Sequence, residues 1–363
     1  MRFLKYGVST GACAAAASKA AVVTLLHGSV ERVVIPTPIG IRFEIPVRDS
    51  KKLADDTAVA TVIKNAGDDI DVTNGIEISA TVKLTDDGKI TIHRGVGVGV
   101  VTKPGLQVSV GESAINPVPR KMIIDAVAEV LPKGKGAEVT ITVPEGEKVA
   151  EKTQNNKLGI VGGISILGTT GVVKPLSMEA CRRSLVPQLD VALARGYTRV
   201  FFVPGNIGER ITKQLFNVAD DQIVQTGDFV GYMLDKAVER GFKEVVLVGH
   251  SGKLVKLAAG IFNTHHKMGD ARNEVIAAYA GAAGASTQTI RQLLQANTTE
   301  ESTEILQKVG LQQATYDIIA QRVNARLAER SKNRIRFSVV IVSMDGKILG
   351  QDENARSLKI WAT

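Results

Sequence analysis

LVGHSGKLVKLAAGIFNTHHKMGDAR, residues 247–272, begins as an apolar run, breaks at Gly249-His250-Ser251-Gly252-Lys253, and then opens a helix; it holds three of the chain's five histidines. An apolar strand that ends in glycine and runs into a helix is the repeating unit of a parallel sheet. The neighbouring sequence repeats the pattern. From about residue 158 five apolar, β-branched runs appear: GISILGTTG, RVFFVPG, QIVQTGD, EVVLVGH and FSVVIVSMDG, with helical stretches between the first four. Strand and helix in alternation predict a parallel sheet covered on both faces. The glycine-bearing turns Gly168-Thr169-Thr170-Gly171, Pro204 to Glu209, Thr226 to Gly231, Gly249 to Lys253 and Ser343 to Gly346 are then expected along its carboxyl edge. That edge is where open α/β sheets bind ligands.

The first 150 or so residues read differently. TGACAAAASKAAVVTLLH, residues 10–27, is an Ala-rich helix ending at Gly28, with Thr10 available as its cap. Short strands follow in VERVVIPTP, IRFEIPV, IEISATVKL and KITIHRGVGVGVVTK, then a helix begun by Pro117 and Pro119 and stopped by Pro132, then the strand EVTITVPEG. The expected fold is therefore an N-terminal mixed α+β domain over 1–157, followed over 158–363 by a Rossmann-like three-layer α/β domain with a five-stranded, mainly parallel sheet. Residues 271–330 form a helical insertion in it.

With 44% apolar and 23% charged residues the chain has the composition of a globular protein. No apolar stretch approaches the roughly 18 residues of a membrane span, so no membrane partner is expected. Ser9, Thr10, Ser18 and Lys19 interrupt the Ala-rich start, which argues against a signal peptide. Cys13 and Cys181 stand in no metal or redox spacing, which favours free thiols and a cytoplasmic location. The net charge of +8 raises nucleic acid as a partner. Aromatics at 4% and the absence of a dense Lys/Arg block argue against it and leave a polyanionic small molecule or a plain basic surface. A homo-oligomer is compatible with the sequence, which fixes no subunit number.

The turn at 249–253 admits several chemistries. A hydrolase elbow needs glycine where Lys253 stands and a later histidine, and none follows His266. A P-loop needs four residues between its glycines and Ser or Thr after the lysine, where Leu254 stands. His250, His265, His266 and Asp270 lack thiolates or a helical i, i+4 histidine pair, so no protein metal site is expected. Gly95-Val96-Gly97-Val98-Gly99 lacks dinucleotide spacing. What remains is an anion site made from helix amides with Lys253 and Lys256, the anion unnamed.

The strings VSTGACAAAASKAA, NAGDDIDVTNG, GVGVVTKPGLQVSVGESAINPVPRKMI, LGIVGGISILGTTGVVKPLS, VPGNIGE, GDFVGYMLD and GHSGKLVKLAAGIFNTHHKMGDAR run in order from residue 7 to about 272. Together they resemble the CbiD family of anaerobic cobalamin biosynthesis. The chain departs from the family pattern at Val8-Ser9, at Ser251 and at Gly227-Asp228-Phe229. The resemblance implies S-adenosylmethionine-dependent methylation of C1 of cobalt-precorrin-5B, giving cobalt-precorrin-6A, with S-adenosylmethionine as cosubstrate and the cobalt carried by the substrate. A non-catalytic carrier of the same tetrapyrrole is the alternative in a different class.

Under that resemblance the site residues carry paired readings. Thr10 and Gly11 cradle a carboxylate or cap the helix. Asp68, Asp69 and Asp71 order a ligand amine or form an acidic turn. Arg120, Lys174, Lys253 and Arg272 clamp carboxylates or are exposed charges. His250 is the candidate general base. Gly168, Thr169, Thr170, Gly171, Gly205, Asn206, Gly208, Glu209, Asp228, Gly249, Gly252, Asn263 and His265 complete the set expected to contact substrate or cosubstrate.

Overall fold

A computed structural model describes residues 4–358 and Trp361. The chain divides into two compact units, Met1–Met178 and Glu179–Thr363. The division falls after GISILGTTG rather than at the expected 157/158.

In the N-terminal unit the Ala-rich segment is helix α1 (Thr10–His27). Ala12 to Ala17, Ala20, Ala21 and Val22 are all inaccessible to solvent. A helix apolar on every side belongs inside a core, and here alanine lets its neighbours approach closely. Its cap is Ser9, whose Oγ accepts from Ala12 N at 3.1 Å, not Thr10 as expected. Strands β1 (Arg32–Pro36) and β2 (Arg42–Pro46) form a hairpin. Strands β3 (Asp49–Ala54), β4 (Thr57–Ile63), β5 (Glu77–Thr85), β6 (Ile90–Arg94) and, after helix α2 (Pro117–Ala128), β7 (Gly136–Thr142) form a sheet of order β3-β4-β5-β7-β6. Ile78, Ala80 and Val82 alternate inward along β5, as period-two patterning requires.

In the C-terminal unit, helix α3 (Pro187–Ala194) leads into β8 (Arg199–Val203), α4 (Asn206–Leu215), β9 (Ile223–Gln225), α5 (Val230–Glu239), β10 (Glu244–His250) and α6 (Ser251–Ala258). The insertion supplies α7 (Arg272–Ala282), α8 (Thr287–Gln295), α9 (Thr299–Lys308) and α10 (Gln312–Arg330) before β11 (Arg336–Val342) and β12 (Ile348–Gln351). The sheet is mixed, of order β9-β8-β10-β11-β12, with the first four strands parallel and β12 antiparallel at the edge. One core contains residues of α5, α6, α7 and α10 on one face of the sheet, and a second contains Ile211 of α4 and Ala355 on the other.

One expected strand and one expected turn need correction. GISILGTTG is not in this sheet: Gly163–Ile164 makes a two-residue parallel ladder with Gly97–Val98 in the N-terminal unit. Left-handed backbone at Gly162 and Gly168 limits the extended run, and the carbonyl of Leu167 is taken by α1. The fifth strand is instead β12, so the turn Ser343 to Gly346 joins a hairpin rather than a strand to a helix.

Candidate functional site

Strand order in the C-terminal sheet reverses at β8, whose two neighbours β9 and β10 follow it in sequence on opposite sides. The turns after β8 and β10 therefore flank a crevice at the carboxyl edge, the usual ligand position in such sheets. Lys253, in the first turn of α6, spans it. Its Nζ donates to Pro204 O at 2.7 Å and lies 3.1 Å from Asp228 Oδ1, in the loop after β9. Thr264 Oγ1 donates to the same carboxylate at 3.0 Å, and Thr264 N to the Asp228 carbonyl at 2.9 Å. Partial burial pushes the Asp228 carboxyl up, yet Lys253 and Thr264 outweigh it and hold it below the ordinary range.

The turn after β8 is open toward this lysine. A Cβ on Gly205 would come no closer than 3.9 Å to any neighbour, that neighbour being Lys253 Nζ. Having no side chain, Gly205 also leaves the first turn of α4 without a side-chain cap. Asn206 Oδ1 and Glu209 Oε2 both accept from Gln225 Nε2, at 3.0 and 2.6 Å, so three polar side chains converge beside the turn. Gly208 and Gly249 serve packing: Cβ atoms there would sit 2.8 Å from Val248 O and 2.5 Å from the Leu254 side chain.

His250 does not fit the general base expected of it. Its Nδ1 accepts from Gly252 N at 3.1 Å, capping α6, and its Nε2 lies 2.6 Å from Glu300 Oε1. A neutral ring with an accepting Nδ1 carries its proton on Nε2, so no lone pair is left for a substrate. Ser251 Oγ is 3.5 Å from that same Nε2. A nucleophilic triad needs serine and carboxylate on different ring nitrogens, and the hydrolase reading closes on this geometry. Gly252, expected among the anion-binding glycines, spends its amide on this cap.

The segment after α6 is held from within. Lys256 is buried and donates to Thr264 O at 3.2 Å and Gly269 O at 3.0 Å. Asn263 Oδ1 accepts from His265 N, and His265 Nδ1 from Lys267 N, both at 3.2 Å. Arg272, expected to clamp a ligand carboxylate, forks onto Asp270 at 2.7 and 2.6 Å. That pairing pulls the Asp270 carboxyl down to about 2.

In the N-terminal unit the loop Gly168 to Gly171 wraps the start of α1. Ser9 N donates to Gly171 O and Gly11 N to Leu167 O, both at 2.9 Å; Thr10 Oγ1 accepts from Leu167 N and donates to its carbonyl at 3.1 Å. With Ala12 N on Ser9 Oγ, the amides of Ser9, Gly11 and Ala12 all bond the protein itself, at the place where a carboxylate cradle at Thr10 and Gly11 is expected from the sequence. Thr170 Oγ1 bonds Val172, and Thr169 is exposed. The acidic residues are a chain clasp: Asp68 accepts from Lys5 N, Asp69 from Leu176 N, and Asp71 from the buried Lys64 Nζ at 2.6 Å. Burial pushes the Cys13 thiol up to about 12, which makes it inert. Arg120 is half-buried and Lys174 exposed. A groove of about 290 Å³ lies nearby, between Pro36-Thr37-Pro38 and the α2 residues Val118 and Met122.

Sequence reasoning missed Gln225, Thr264, Glu300 and Tyr316. Gln225 is the last residue of β9, just before the expected turn Thr226 to Gly231. Tyr316 is buried and pushed up to about 12 chiefly by desolvation; its hydroxyl pairs with Thr303 Oγ1 at 2.7 Å, and nearby Ser251 offsets part of the rise. Neither it nor Glu300 has a local signal, because each reaches residues 250–251 only through the packing of the insertion. No group of three or more His, Cys, Asp or Glu able to hold a metal ion occurs among the described residues. No helix among them is long and apolar enough to cross a membrane.

Compared with known proteins, residues 1–175 match the family model described as CbiD, and residues 263–353 match that of the CbiD C-terminal domain. A cobalt-precorrin-5B C(1)-methyltransferase of Methanocaldococcus jannaschii is 49% identical over 95% of this chain and 96% of its own. One from Moorella thermoacetica is 44% identical over 98% and 97%. A crystal structure of the cobalamin biosynthesis protein CbiD from Archaeoglobus fulgidus, 32% identical, covers 76% of this chain and 86% of its own with a TM-score of 0.41.

Proposed function

The chain belongs to the CbiD family, and from that premise we propose that it catalyses the C1-methylation of cobalt-precorrin-5B in cobalamin biosynthesis, with S-adenosylmethionine as donor and cobalt-precorrin-6A as product. The observation that carries this reading is near-complete coverage: 95% of the chain aligns to a methyltransferase at 49% identity, so both units are accounted for.

The C-terminal crevice suits the donor, and we read its sheet as Rossmann-like. When bound there, a sulfonium supplies an electrophilic methyl group. The uncapped first turn of α4 and the Lys253 ammonium favour the donor's carboxylate. Asn206, Glu209 and Gln225 offer acceptors and donors to its hydroxyls and amine. For the tetrapyrrole, whose rim carries carboxylates, Arg120 and Lys174 are the matching cations of the N-terminal unit. No nucleophilic side chain is required: methyl transfer to carbon depends on alignment of donor and acceptor, and positioning supplies much of the rate.

Calorimetry with each ligand tests the assignment. A methyltransferase binds both S-adenosylhomocysteine and cobalt-precorrin-5B; a carrier retains the tetrapyrrole and shows no heat with S-adenosylhomocysteine.

A further inference from the structure

Glu300 reaches the crevice from a part of the chain that no motif marks. It lies in the first turn of α9, whose cap is the Thr298 hydroxyl accepting from Glu301 N at 3.1 Å. The adjacent Thr299 packs on the crevice turn: a Cβ on Gly252 would be 3.4 Å from Thr299 Oγ1 and 3.1 Å from His250 Nδ1. The imidazole thus has a carboxylate on one nitrogen at 2.6 Å and a backbone amide on the other at 3.1 Å. These contacts are coupled. A carboxylate on Nε2 keeps the proton there, and only then can Nδ1 accept from Gly252 N. The opposite tautomer would aim a ring N–H at the amide N–H and release the cap.

We propose that Glu300 is a positioning residue of the methyl-transfer crevice: by fixing the Nε2–H tautomer of His250 it secures the cap on Gly252 and thereby sets where Lys253 stands. The inference rests on the crevice holding the donor. It gives the helices between residues 272 and 330 a task at the site, since their packing delivers this carboxylate to the turn. Glu300 is 45% exposed and His250 17%, so the contact sits at the edge of the crevice and substitution of Glu300 leaves the core intact.

The test compares the full-length protein with Glu300→Ala, His250→Asn and the double variant. Nitrogen-15 spectra of histidine-labelled protein identify His250 by the signals that His250→Asn removes. The ligand-free wild type should show a protonated Nε2 and bare Nδ1, and Glu300→Ala should mix the tautomers. In calorimetry with S-adenosylhomocysteine, Glu300→Ala should raise the dissociation constant about tenfold, the scale of a lost helix cap. Asparagine caps without a choice of tautomer, so removing Glu300 in the His250→Asn background should cost less than twofold. A protonated Nδ1 in the wild type, an unchanged tautomer in Glu300→Ala, or the same tenfold loss in the asparagine background would each overturn the proposal. A wild type with the Nε2–H signature that binds no S-adenosylhomocysteine contradicts both the donor site and the role of Glu300 in it; a wild type that binds but carries Nδ1–H contradicts the Glu300 proposal alone.

Discussion

Lys253 Nζ stands 3.1 Å from Asp228 Oδ1 and donates to Pro204 O at 2.7 Å, so one ammonium ties together the turns after three parallel strands. Losing it leaves Asp228 partly buried without its cation. Lys253→Ala should weaken S-adenosylhomocysteine binding about tenfold, with a smaller penalty at high salt because an exposed charge is screened. Stability should fall by only about 1 kcal/mol, since both partners are solvent-accessible. Titration at two ionic strengths, beside thermal melts, separates the two effects.

The same pair sets a pH dependence. The folded-state pKa of Asp228 lies below its ordinary 3.8. Its contribution to stability is therefore complete above that value and is lost as pH falls through the depressed one. Thermal melts from about pH 5 down to about pH 2.5 should show a steeper loss for wild type than for Lys253→Ala; parallel curves would mean the pair contributes nothing.

Two glycines, at which an added Cβ would meet its nearest neighbour at 3.9 and 2.8 Å, should behave oppositely. Gly205 has extended backbone, φ 172°, and open space around a Cβ. Gly205→Ala should fold normally and lose donor affinity. Gly208→Ala pushes a methyl to 2.8 Å from Val248 O and should cost about 1–3 kcal/mol of stability. Melting curves and S-adenosylhomocysteine titrations of the two variants check this contrast.

Ser251 is buried, and its Oγ pairs at 3.5 Å with the His250 nitrogen that also faces Glu300, rather than standing poised for attack. Ser251→Ala should retain turnover within about twofold while losing about 1 kcal/mol of stability with its hydrogen bond. A folded, ligand-binding but inactive variant would reopen covalent chemistry.

Much of this arrangement is legible along the chain, and the exceptions have physical causes. The buried helix α1 follows from its alanines, and β8, β10 and β11 from β-branched runs that only a covered sheet accommodates. GISILGTTG has the same composition but goes elsewhere, because Gly162 and Gly168 take left-handed backbone and α1 claims the Leu167 carbonyl. At the site, Lys253 and Asp228 stand in recognisable turns. Residue type alone left open whether Arg272 faces a ligand or Asp270, and only the fold brings Glu300 to His250 from fifty positions away.

The most direct measurement supplies purified protein with cobalt-precorrin-5B and S-adenosylmethionine labelled with carbon-13 in its methyl group. The account predicts a tetrapyrrole product heavier by one labelled methyl, with the label resonance coupled to C1, and an equal amount of S-adenosylhomocysteine. Unchanged tetrapyrrole from folded protein that binds both ligands, or a label on any other carbon, would contradict it.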